Sequence, residues 1–83
     1  MLGFRVKVET PALETGDRIE EVWVVGIADS EAAKKAVNEA ARPLPGQRTE
    51  VLAPLSDWDC DVYRLAPGQV LRLELRVVPG SQA

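Results

Sequence analysis

Hydrophobic and polar positions change period along the chain, and each change marks a predicted element. From Gly3 to Glu9 the alternation is strict, with Phe4, Val6 and Val8 on one side and Arg5, Lys7 and Glu9 on the other. That is the period of a half-buried strand. Thr10-Pro11 ends it, and Glu14-Thr15-Gly16-Asp17 has the composition of a turn. The next run, Ile19 to Ala28, is apolar on both faces: Ile19, Trp23, Val25 and Ile27 share one, and Val22, Val24 and Ala28 the other. Two-sided apolar character predicts a central strand covered on both faces. Gly26, without a side chain, lets the following helix pack closely.

At Asp29-Ser30-Glu31 the period becomes helical. Asp29 or Ser30 supplies an N-cap oxygen, and Glu31 puts negative charge at the positive end of the helix dipole. Ala33, Ala36, Val37 and Ala40 form a narrow, shallow stripe suited to a bulky strand face, with Lys34, Lys35, Asn38 and Glu39 turned to water. Glu31 and Lys35 stand at the favourable spacing for a helix ion pair. Arg42-Pro43 stops the helix, because proline disfavours helical geometry in the residue before it. Pro43-Leu44-Pro45-Gly46 reads as a rigid turn, and Arg48 to Ala53 as a third, weaker strand.

Ser56-Asp57-Trp58-Asp59 then has the form of a capped helix start, with Trp58, Val62 and Leu65 along one side of a short helix. Gln69 to Val78 alternates again, predicting Leu71, Leu73, Leu75 and Val77 facing in and Arg72, Glu74 and Arg76 facing out. Residues 79–83 read as a frayed tail. Together these elements predict one small α+β domain over 1–83. It is a two-layer sandwich in which a mixed sheet of about four strands carries one main helix on one face. Strand, helix and strand in succession imply a parallel pair with a right-handed crossover.

Composition narrows what such a domain can do. Eighty-three residues make a single core and leave little for a deep enclosed site. Ten basic against thirteen acidic residues give a net charge of −3, which argues against non-specific nucleic-acid binding. One cysteine, Cys60, rules out an intrachain disulfide, so packing alone holds the fold. No basic-then-apolar leader opens the sequence, and no apolar run is long enough to span a bilayer; the expectation is a cytoplasmic protein with no membrane partner.

Candidate chemistry is sparse. Histidine is absent, which removes the commonest general base and the commonest transition-metal ligand. Cys60 therefore has no histidine to form a nucleophilic pair or a zinc site, and no phosphate-cradling glycine loop is present. Asp57, Asp59 and Asp61 suggest a calcium loop, but Val62 stands where glycine is needed and Gly68 where the bidentate acid belongs. They read instead as acids favoured at a helix start. No cofactor, metal or catalytic residue is expected, although an enzyme could use Asp29 or Asp59 as a base.

Two surface features remain. Arg5, Lys7, Arg72 and Arg76 would share the outer sheet face and could take an anion or RNA. No outward aromatic offers a stacking platform, and Glu9, Glu20 and Glu74 lie among these cations, so a mixed-charge solvated face is the simpler reading. Val22 and Val24 project from the central strand away from the main helix, and a second subunit could cover them.

The stretch Val22-Trp23-Val24-Val25-Gly26-Ile27-Ala28-Asp29-Ser30-Glu31-Ala32-Ala33 resembles the opening strand and helix of septal peptidoglycan-binding domains of the sporulation-related type. The resemblance implies a sheet face that holds glycan. The chain departs from that pattern in having a strand before the unit and only a short second helix. The function expected from the residues is a small non-enzymatic interaction or regulatory module that self-associates as a homodimer. Anion or nucleic-acid binding on the basic face is the alternative, and a small enzyme or an envelope glycan-binding domain is a third.

Overall fold

The structure, a computed structural model, describes residues 2–11, 14, 16–42, 44 and 46–80. In chain order it contains β1 (Gly3–Pro11), β2 (Arg18–Val25), α1 (Ser30–Ala40), β3 (Arg48–Leu55), α2 (Asp57–Val62) and β4 (Val70–Val78). The four strands form one sheet in the order β3-β1-β2-β4. The α+β class, the four strands and the single main helix are as the sequence predicts. The pairing is different. Every neighbouring pair is antiparallel. β2 and β3 do run parallel across the α1 crossover, but β1 lies between them, so the predicted parallel ladder is replaced by two antiparallel ones.

α1 is packed by its small face. Ala33 and Val37 are fully buried against Val6 and Val8 of β1 and Trp23 and Val25 of β2. Phe4, Ile27, Ala36, Val51 and Val70 close the edges of this cluster. The helix starts at Asp29, whose Oδ2 accepts from the Ala32 N–H at 3.1 Å, so Asp29 rather than Ser30 is the N-cap. The ordered helix ends at Ala40, and Arg42 turns the chain with a φ of 62°. Gly26 contributes backbone: its N–H donates to the Gln69 carbonyl and its carbonyl accepts from Gly68, fastening the exit of β2 to the entry of β4.

The second helix covers one end of the opposite sheet face. Val24, Leu55, Cys60 and Leu65 form a second buried cluster with Tyr63 and Leu71 packed on it. The capping box at Ser56 and Asp59 forms as expected, but it turns Cys60 inward and leaves Trp58 73% and Val62 54% exposed. The reason is a hydrophobic staple, in which Leu55 before the cap packs with Cys60 in the first turn. At the other end, Arg64 donates to the Asp61 carbonyl and Leu65 to the Cys60 carbonyl. This is a Schellman closure with Leu65 folded back on Cys60. It forces Arg64 to a φ of 53°, a left-handed conformation.

β4 departs from simple alternation. Its register jumps from Trp23↔Arg72 to Val22↔Glu74, leaving Leu73 as a bulge without a partner on β2. Leu71 therefore lies with Val24, while Arg72, Leu75 and Val77 lie on the α1 side. The predicted common inward face of Leu71, Leu73, Leu75 and Val77 does not exist. The expected turn at 43–46 and the expected frayed tail at 79–83 fall partly outside the described residues; within the tail, the Gly80 N–H donates to Asp17 Oδ1 at 2.8 Å.

Two substitutions test this packing. Ala33→Leu overfills the helix–sheet contact and should cost about 1–3 kcal/mol, read as a lower urea midpoint at unchanged m. Arg64→Gly relieves the left-handed residue and should raise stability by about 0.5–1 kcal/mol, read in the same titration.

Candidate functional site

The four cations expected on one sheet face are divided between two. Arg5, Lys7 and Arg76 lie on the face opposite α1, whereas Arg72 pairs across from Trp23 on the α1 side. Its guanidinium carbon sits 6.0 Å from the Trp23 ring centroid, and its NH1 donates to Glu21 Oε2 at 3.4 Å. A common anion site built from all four is therefore corrected by the bulge at Leu73.

The three that remain together are engaged. Arg5 donates to the Tyr63 hydroxyl at 3.0 Å, which draws it toward α2. Lys7 lies 2.9 Å from Glu9 and 4.0 Å from Glu50. Arg76 donates through two nitrogens to Glu20 Oε1, at 3.1 and 2.8 Å, and Arg18 approaches the other Glu20 oxygen at 3.6 Å. Glu9 and Glu20 stand opposite each other in the β1–β2 register, and these cations offset their repulsion. The face is a charge ladder closed on itself, as the mixed-charge reading expected. The Lys7 hydrogen bond and charge hold the Glu9 carboxyl below its ordinary value against the opposing effect of burial, and raise Lys7 in turn.

Val22 and Val24 do not form an uncovered pair. Val24 is fully buried beneath Leu55, Cys60 and Leu65, and only Val22 stays half-buried, flanked by Lys7 and Glu74. Val24 is thus unavailable to a partner, because α2 covers it. Among the described residues no cluster of acids and cysteine could hold a metal ion. Asp57 and Asp61 are exposed, and Asp59 is used in the cap. Asp29 is likewise a capping residue.

The apolar surface lies elsewhere. α1 packs on β1, β2 and β3 and touches β4 least. Along the edge strand β4, Leu73, Leu75 and Val77 are 38%, 49% and 58% exposed. Sequence reasoning missed this surface, because the alternation that predicts a buried row is intact in the letters. Leu75 also borders a cleft of about 250 Å³ beside Trp23, Ile19 and the end of α1. A larger open groove of about 720 Å³ lies at the other side of the molecule, between α1 and the β3 edge. No helix among the described residues is long and apolar enough to cross a membrane.

No protein-family model matches the chain, and no curated protein or solved structure is significantly similar to it. The resemblance to septal peptidoglycan-binding domains thus gains no support from these comparisons.

The Glu9 carboxyl should titrate below its ordinary value of 4.5, and Lys7→Met should move it upward, as read by carboxyl NMR titration. A depressed carboxylate contributes stability that is complete above its unfolded value and is lost as pH falls through the native one. The denaturation midpoints of the wild type and Lys7→Met should accordingly converge on acidification below 4.5.

Proposed function

We propose that this domain is an interaction module that works as a homodimer, two copies pairing antiparallel through β4. The observation that carries this reading is the exposed apolar row Leu73, Leu75 and Val77 on a nine-residue edge strand. An edge strand presents unpaired backbone donors and acceptors that a second strand can complete. A two-fold axis through Leu75 sets it against the second copy's Leu75 and brings Leu73 beside the second copy's Val77. The same register sets Glu74 against the second copy's Arg76, twice, extending the Glu20–Arg76 pair across the junction. Shifting by one residue either way loses this: centring on Glu74 opposes Arg72 to Arg76, and centring on Arg76 opposes two arginines.

The surface area supports the reading. The molecule measures 44 × 21 × 15 Å and exposes 5529 Å². A compact monomer of 9.1 kDa should expose only about 4,900 Å². The excess approaches the ~800 Å² that one partner contributes to a standard interface. A two-fold strand pairing closes on itself, so it yields a dimer of eight strands and no filament.

Sedimentation should give twice the 9.1 kDa chain mass. Leu75→Lys, which opposes two cations across the axis, should weaken the dimer about tenfold or more while the circular dichroism spectrum stays unchanged. A wild-type chain that sediments as a monomer at about 1 mM, a concentration that populates even weak dimers, would overturn the proposal.

A further inference from the structure

The edge at the far side of the sheet differs from β4 in its chemistry. β3 is flanked by β1 alone, so the outward backbone groups of Arg48 to Val51, the regular stretch before the bulge at Leu52, have no strand partner. The groove of about 720 Å³ beside this strand takes its other wall from α1. Lys34 and Lys35 of α1 line it, and neither is within 4.0 Å of a carboxylate among the described residues, whereas Arg48 of β3 stands opposite Glu9. The Glu31–Lys35 pair expected from helix spacing does not form, which leaves Lys35 available. The acids Glu9, Glu31 and Glu50 line the groove too, but Glu9 and Glu50 lie on the face opposite α1 with Lys7 and Arg48, so the α1 wall, with Lys34 and Lys35 against Glu31, carries the positive excess in a chain of net charge −3. Gln47, also on the groove, donates from Nε2 to Thr10 Oγ1.

We propose that this groove binds an extended, acidic peptide segment of another protein, which adds to β3 as a fifth strand. The strand supplies backbone hydrogen bonds to Arg48–Val51, and its acidic side chains, all on the α1 side, meet Lys34 and Lys35. A groove between a helix and a sheet edge suits this mode, because main-chain bonds give affinity while the wall residues select side chains. A second copy's β4 fits the site poorly, since its charged residues are two arginines and one glutamate. Nothing here depends on the β4 dimer, because the two edges lie at opposite ends of the sheet.

The probe is a fluorescein-labelled octapeptide of alternating valine and glutamate, followed by anisotropy at low salt. It should bind at least ten times tighter than the valine–lysine counterpart. The double variant Lys34→Glu/Lys35→Glu, exposed positions that leave the fold intact, should lose at least tenfold in affinity. Methylating alternate backbone nitrogens of the glutamate peptide on the edge that would face β3 should abolish binding, and the amide signals of 48–51 should shift only with the unmethylated peptide. The proposal is overturned by no binding at millimolar peptide, or by equal binding of the lysine or methylated peptide. Heparin binding as tightly as the peptide, with the same losses on the double variant, would also overturn it in favour of a general polyanion site.

Discussion

The contact on which everything else rests is the seating of Ala33 and Val37 on the valines and tryptophan of the two central strands. A small helix face against Val6, Val8, Trp23 and Val25 lets α1 lie close to the sheet. Closeness matters in a chain of 83 residues, because so little apolar surface is available to offset the entropy of ordering it. The same contact fixes the orientation of the sheet. Once Trp23 and Val25 face α1, Val22 and Val24 must face away, and a second covering element is needed for the fully buried Val24. α2 supplies it with six residues, stapled at one end and closed by a Schellman turn at the other.

Much of this is legible in the sequence. Strict alternation in β1, two-sided apolarity in β2 and the acid-capped alanine stripe of α1 each report a local period, and local periods survive into the fold. What resists reading is the result of long-range choice. β3 pairs with β1 rather than with β2, a choice that no local period records. The bulge at Leu73 leaves no mark in Leu-Arg-Leu-Glu-Leu-Arg, yet it moves Leu71 and Arg72 to faces opposite to those the alternation implies. For α2 the signal was present in a different form. The cap at Ser56 and the apolar residues on either side of it, Leu55 and Cys60, spell a staple, which outweighs the larger but looser stripe of Trp58, Val62 and Leu65.

The candidate surfaces follow from these choices as well. Parity put Arg72 with Arg5, Lys7 and Arg76; the bulge moved it beside Trp23 and Glu21. The remaining cations are held by Glu9, Glu20, Glu50 and Tyr63, so the outer face presents a neutralised ladder. What the sheet leaves without a strand partner is the outer backbone of its two edge strands, β3 and β4.

The two edges are not equivalent, and the difference bears on how the molecule avoids indefinite assembly. β3 carries Pro54 and a bulge near Leu52, which confine any added strand to the short regular stretch Arg48–Val51. β4 has a bulge too, but beyond it the chain runs regularly from Glu74 to Val78 with apolar side chains in the open. A head-to-tail union of β3 with β4 would propagate. The proposed two-fold β4 union would instead pair Glu74 with Arg76 and end growth after one step. On the proposed reading the two edges would thus divide the work, β4 joining a second copy and β3 taking a separate strand beside Lys34 and Lys35.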